Sequence, residues 1–340
     1  MSYRVRVEGV SWVEAMPLLK LARAWGVALR LEAWSVAYLG LGLHLLGVAL
    51  IAMLMGDRDR LWATQGVLDL LGQMLLPIGL FQGSVVAWVL WAFQVYLLKA
   101  VFGGVLCRIA AQRWAQLTSQ GMVPAFRVVL RRFGWYTLTP ALPVFVGVCL
   151  LIPLVVAGLL LRLPVFDWLG MALAGPGLLL GLLAVVVLVG LAVAGMLFYP
   201  SLAVEGTDGY DALSRIYSFA VGRPLSYLGA LVLLVFFGLA GGALLVGVVG
   251  GAVVGGVWLL SLVSGLRMDL LWTGVAASSA AEAVWWWVLL MVLLIPAAVV
   301  AYVYAGLTLI YLTLRQLFDG TPASEVAEVD EPGTGPAAGS

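Results

Sequence analysis

This sequence is short of charge. Acidic and basic side chains occupy 10% of its 340 positions, where soluble domains carry about a quarter. With 64% of residues apolar, the surface of such a chain must face lipid rather than water. A soluble globular protein is excluded, and a polytopic membrane protein is expected. Histidine is almost absent as well: His44 stands alone. One imidazole, with no Asp or Glu in the apolar runs, cannot build a metal centre, so no metal or other cofactor is expected. Two cysteines, Cys107 and Cys149, make no disulfide framework. Also missing are H-E-x-x-H, G-x-x-x-x-G-K-[ST] and G-x-S-x-G, the patterns of metalloproteases, phosphate-binding loops and serine hydrolases. The expectation is therefore a protein that is not an enzyme. A net charge of +1, with arginines in short clusters beside apolar runs, gives no reason to expect nucleic acid. The first apolar run begins near Ala33 without an A-x-A-like site after it, so no signal peptide is expected.

What is present is a series of long apolar runs. They predict an all-α, polytopic transmembrane helix bundle with amphipathic cytoplasmic surface helices. Six spans fall at about 33–55, 84–106, 141–161, 177–198, 225–263 and 285–312. Each is long enough to cross roughly 30 Å of hydrocarbon at about 1.5 Å per residue. The run 225–263 exceeds one ordinary span, and a hairpin there would give seven. Residues 61–82 are apolar but broken by polar residues, and read as an interfacial or partly re-entrant segment. Residues 1–32 form an N-terminal segment with an amphipathic helix, and the acidic tail 319–340 is expected to be disordered. With six spans, thirteen Lys and Arg fall on the side of both termini and four on the other, with Lys99 inside a span. That bias predicts a bacterial cytoplasmic membrane protein with N- and C-terminus cytoplasmic.

Three cytoplasmic stretches share a plan, each before a pair of spans. Pro17 opens one helix, with Gly26 as its stop. Pro124 opens a second, with Phe126, Val129, Leu130 and Phe133 on its apolar face and Gly134 as its stop. The third follows Asp208, whose carboxylate has the look of an N-cap, and stops at Gly222 before Pro224. In that third helix Leu213, Ile216, Tyr217 and Ala220 make an apolar face, and Asp211 pairs with Arg215 at i,i+4. Asp208, Asp211, Arg215 and Arg223 are the one regularly spaced charged constellation. They read either as a docking surface or gate, or as an ordinary capped surface helix with Arg223 at headgroups or the last carbonyls. Helix capping leaves Glu205, Gly206 and Thr207 unexplained.

Within the apolar runs, His44 and Gln94 are the candidate polar residues, because ionisable and polar groups at that depth mark function by default. A neutral imidazole bonded to a neighbouring helix explains His44 equally well. Gly238 and Gly242, then Ala243, Gly247, Gly251 and Gly255, put small residues on a helical stripe, a pattern for close helix packing in lipid. Its partner is either another span of this chain or a second copy. Trp285, Trp286 and Trp287 read as an interfacial aromatic belt.

Three segments, FGGVLCRIAAQ (102–112), AVEGTDGYDALSRIYSF (203–219) with the GRP after it, and YAGLTLIYLTLRQLFDGT (304–321), occur in an order and spacing that resembles a family of multi-pass bacterial membrane proteins with no assigned activity. The resemblance implies an inner-membrane location and no chemistry. From the residues, the leading expectation is a non-enzymatic membrane scaffold or assembly component, in contact with the lipid bilayer and with a membrane or cytoplasmic protein partner. The alternative is a transporter or permease subunit for a hydrophobic or neutral substrate. The two differ in one observable: a transporter needs a membrane-depth cavity lined by Gln94, His44 or tyrosines, whereas a scaffold needs a closed core.

Overall fold

The computed structural model describes residues 17–56, 67–115, 121–206, 208–264 and 279–321. Every regular element among them is helical. A 3₁₀ turn, Pro17–Arg23, leads into α1 (Ala24–Ala28), followed by α2 (Leu31–Leu54) and the nine-residue α3 (Val67–Leu75). Then come α4 (Val85–Trp114), α5 (Met122–Arg131), α6 (Phe133–Leu160) and α7 (Asp167–Glu205). The chain continues with α8 (Gly209–Gly222), α9 (Pro224–Ser264), α10 (Ser279–Val292) and α11 (Leu294–Asp319). Six helical stretches are long and apolar enough to cross a membrane: α2, α4, α6, α7, α9 and Val284–Asp319 across α10 and α11. The chain is an all-α, multi-pass membrane protein.

Several boundaries differ from the sequence expectation, for physical reasons. The run 225–263 is one unbroken helix of 41 residues, not a hairpin. At about 1.5 Å per residue it is roughly twice as long as the hydrocarbon core is thick, so it tilts strongly or projects beyond it. The second span does not end at 106 but runs to Trp114, because residues 104–112 are buried in protein and Arg108 finds a protein partner there in the Ala203 carbonyl. The third begins at Phe133 rather than 141, and Gly134 lies inside it instead of stopping α5. Gly26 is likewise inside α1 and not at its end. Leu130, expected on the apolar face of α5, is exposed, and Ala125 and Val129 make the buried contact. Asp319, placed in the tail by its composition, is the last residue of α11. The tail beyond 321 lies outside the described residues, as do the first sixteen.

The three short helices expected before the pairs of spans do form, but they are built into the bundle more than laid upon it. Leu21 and Ala24 before and in α1, Ala125 and Val129 in α5, and Ala212, Ile216 and Phe219 in α8 are all buried in one core. That core is completed by Val105 to Ala111 of α4, Leu197 to Val204 of α7 and Ala297 to Leu314 of α11. Long-range hydrogen bonds from aromatic tips tie it together: Trp25 Nε1 donates to the Phe237 carbonyl at 3.0 Å and Trp114 Nε1 to the Ala305 carbonyl at 3.2 Å. Tyr302 donates to the Leu234 carbonyl at 2.9 Å while its ring stacks on Trp25. A second, purely apolar core joins α2, α3, α9 and α10 through Val48, Leu70, Leu71, Phe81, Val253, Val257 and Leu289. The outer faces of α6, α7 and α9 carry most of the exposed Leu and Val, as lipid contact requires.

Candidate functional site

Two places in the bundle combine geometry with chemistry. The first is the C-terminal end of α7, where the three segments quoted above for their pattern come together. Glu205, the last residue of α7, is almost fully buried, with 7% of its side chain exposed. Its Oε1 lies 3.0 Å from Arg315 Nε and accepts a hydrogen bond from the Tyr311 hydroxyl at 2.8 Å. Its Oε2 lies 3.4 Å from Arg215 Nη1. Arg215 also meets Asp211 at 3.4 Å, as the i,i+4 spacing predicted, and Asp319 at 3.9 Å. Carboxylates on both sides, Glu205 foremost, hold the Arg215 guanidinium above its usual pKa against the opposing effect of burial. Buried charges survive only when paired and hydrogen-bonded, and Glu205 has both kinds of partner.

The local chain explains how the carboxylate gets there. Gly206 caps α7 in the left-handed conformation, φ +61°, where a side chain would cost about 1–2 kcal/mol. That turn lets α8 start almost at once, with Asp208 as N-cap accepting from the Asp211 amide at 2.9 Å. Two arginines hold the same turn from below: Arg108 Nη1 donates to the Ala203 carbonyl at 2.8 Å, and Arg132 donates to the Gly206 carbonyl. Cations at a helix C-terminus satisfy carbonyls that have no partner within the helix. Glu205 and Gly206 are thus accounted for as an ion-pair anchor and a helix cap. Thr207 lies outside the described residues. Arg223 is exposed and sits over the Phe318 ring, 5.5 Å from its centroid. Glu205, Asp211 and Arg215 thus meet one another within the chain, with Glu205 buried and Arg215 and Asp211 keeping 35% and 43% of their side chains exposed.

The second place is a cavity of about 830 Å³ in the middle of the bundle. Its walls come from α2, α4, α7 and α11, with Pro140 from α6 and Leu75 from α3. They are mostly Leu, Val and Ala, with His44, Tyr96, Lys99, Tyr199 and Tyr304 as the polar groups. Two of the three breaks in α-helical geometry among the described spans line this space, the third being at Leu293 between α10 and α11. Lys99–Gly103 of α4 is a π-helical stretch, and Gly195–Leu197 of α7 is a 3₁₀ turn. Irregular backbone at membrane depth is tolerated where it lines a cavity, and π-bulges collect at functional sites. Gly103 and Gly104 let the Tyr304 and Tyr136 rings press onto α4; a Cβ would meet them at 2.8 and 2.6 Å.

The two intramembrane candidates part company here. His44 lines the cavity. Gln94 does not; its Nε2 donates to the His44 carbonyl at 2.9 Å and fills the space above Gly47, a clamp between α4 and α2. Of the small-residue stripe, Gly238 packs on Tyr302 and Gly242 on Val299. Gly247, Gly251 and Gly255 meet nothing among the described residues, because α9 turns Val253 and Val257 to the second core and this stripe away from it. The intramolecular reading of the stripe therefore holds for its first part only. No described group of His, Cys, Asp and Glu could hold a metal ion. The sequence pointed to tyrosines in a cavity without saying which, and did not single out Arg315 and Tyr311, since nothing local marks a residue whose partner is about a hundred positions away. Compared with family models, with curated proteins and with solved structures, the chain shows no match.

Proposed function

We propose that this chain is a bacterial cytoplasmic membrane protein, both termini cytoplasmic, that takes up a lipid-like amphiphile as a transporter or permease component. The observation that carries the reading is the membrane-depth cavity of about 830 Å³, lined by His44 and three tyrosines and bordered by the π-helical stretch of α4 and the 3₁₀ turn of α7. A mostly apolar pocket with a few convergent polar groups is the usual form of a small-molecule site. His44, Lys99 and the tyrosine hydroxyls would take the polar end of the substrate, and the Leu and Val walls its apolar part. The excess of Lys and Arg on the side of the termini supports the orientation.

The assembly reading keeps one observation of its own. Gly247, Gly251 and Gly255 form an outward stripe on a helix that is largely exposed, and small residues permit close helix contact. Reconstitution separates the two. In vesicles carrying a fluorescent phospholipid, the transporter reading expects faster exposure of the label to an impermeant quencher than in protein-free vesicles. His44→Leu should slow that flux while the protein still inserts and purifies normally. Flux equal to that of empty vesicles, with a co-purifying partner, would favour assembly instead.

A further inference from the structure

A cleft of about 530 Å³ opens between the junction of α5 and α6 and the turn from α7 to α8, apart from the cavity and independent of its reading. Arg131 and Arg132 stand on one side of it, Gly206 and Asp208 on the other, with Trp135 and Leu138 as its wall. We propose that this cleft binds a phosphate group, carried by a membrane phospholipid. Three observations lead there. Arg131 is exposed and has no acidic partner among the described residues. The stretch 107–139 contains no acid at all, and Asp208, the one carboxylate on the cleft, is occupied as the cap of α8. Arg132 is anchored by one donor on the Gly206 carbonyl, and a guanidinium has five. Two arginines, one of them fixed, suit the oxygens of a phosphate better than a point charge would.

The source of the phosphate follows from the level and the wall. The α6 span starts at Phe133, which sets Arg131 to Trp135 where apolar helix meets headgroups. Leu138 and Tyr210 stand exposed beside the cleft, while the crevice beneath them between α6 and α8 has room for only about 10 Å³. A soluble anion has no use for this exposed apolar surface, whereas the glycerol and acyl part of a lipid can lie along it.

The test is native mass spectrometry of the full chain in detergent, titrated with phosphatidylglycerol, with diacylglycerol, and with inorganic phosphate as competitor. Phosphatidylglycerol should bind and diacylglycerol should not. Arg131→Gln should weaken the adduct about tenfold, the loss of one charge-assisted contact. Arg127→Gln, which removes the same charge from α5 away from the cleft, should leave it unchanged. Equal losses in the two variants, or equal binding of diacylglycerol, would overturn the site. Displacement by inorganic phosphate at concentrations matching the lipid would overturn the lipid as its source.

Discussion

The end of the bundle around Glu205 and the long helix α9 are made from opposite materials. Around Glu205, four ends of helices converge, charges are buried in pairs, and glycines sit where rings leave no room for a Cβ. Along α9, 41 residues pass with eight glycines between 238 and 256, yet Gly247, Gly251 and Gly255 touch nothing described. The same residue type thus means different things in the two regions. At the Glu205 end a glycine is dictated by its neighbours; on α9 that holds for Gly238 and Gly241, which face Tyr302 and Trp25, whereas Gly247, Gly251 and Gly255 are dictated by nothing among the described residues. The difference shows that close packing in this protein is concentrated where polar groups have to be satisfied, as expected when lipid offers them no hydrogen bonds.

The largest effect that would break this contrast comes from the charge at its centre. Glu205→Ala leaves Arg315, whose side chain is 10% exposed, without its counter-ion, and truncating one partner of a buried pair costs about 3–5 kcal/mol. Thermal unfolding of the detergent-solubilised protein should show a large drop in Tm. An unchanged Tm would mean that the buried pair contributes nothing, and the contrast would lose its chief support. Next in size is a matched pair of glycine substitutions. Gly104→Ala drives a methyl toward the Tyr136 ring and the Val129 side chain and should destabilise by about 1–3 kcal/mol, the range for overpacking. Gly251→Ala should change stability by no more than about 0.5 kcal/mol, as substitutions at open positions do. Equal costs would show that the α9 stripe is packed after all. Smaller still, Asp208→Ala removes the cap of α8 and should cost about 1 kcal/mol, read from the same unfolding curves.

Spans were the legible part of this fold because lipid selects for composition, and composition is visible in any window of twenty residues. The 13-to-4 distribution of Lys and Arg and the caps of α8 were legible for the same reason: each depends on neighbours in sequence. Boundaries were harder. The second span looked finished at 106 since Arg108 and Arg113 follow, but Arg108 meets the Ala203 carbonyl and Arg113 meets Glu32 at 2.9 Å, so protein replaces water there. Glu205 was visible only as a residue that local rules could not place. Its role depends on Tyr311 and Arg315, 106 and 110 positions on, and no periodicity reports such a pairing. The cavity was hidden for a related reason, as its walls come from six helices and its irregular backbone leaves no mark beyond ordinary glycines.

Whether the cavity holds a lipid-like molecule is open to one direct measurement. Ala192 lines the cavity, and Val248 lies on the exposed face of α9, so Ala192→Trp fills the first and Val248→Trp only decorates the second. Native mass spectrometry of both variants, purified from membranes in mild detergent, should find one bound lipid more on the wild type and on Val248→Trp than on Ala192→Trp, which keeps only the phospholipid of the arginine cleft. Equal lipid counts on Ala192→Trp and the wild type, or a lipid lost from Val248→Trp, would contradict the account.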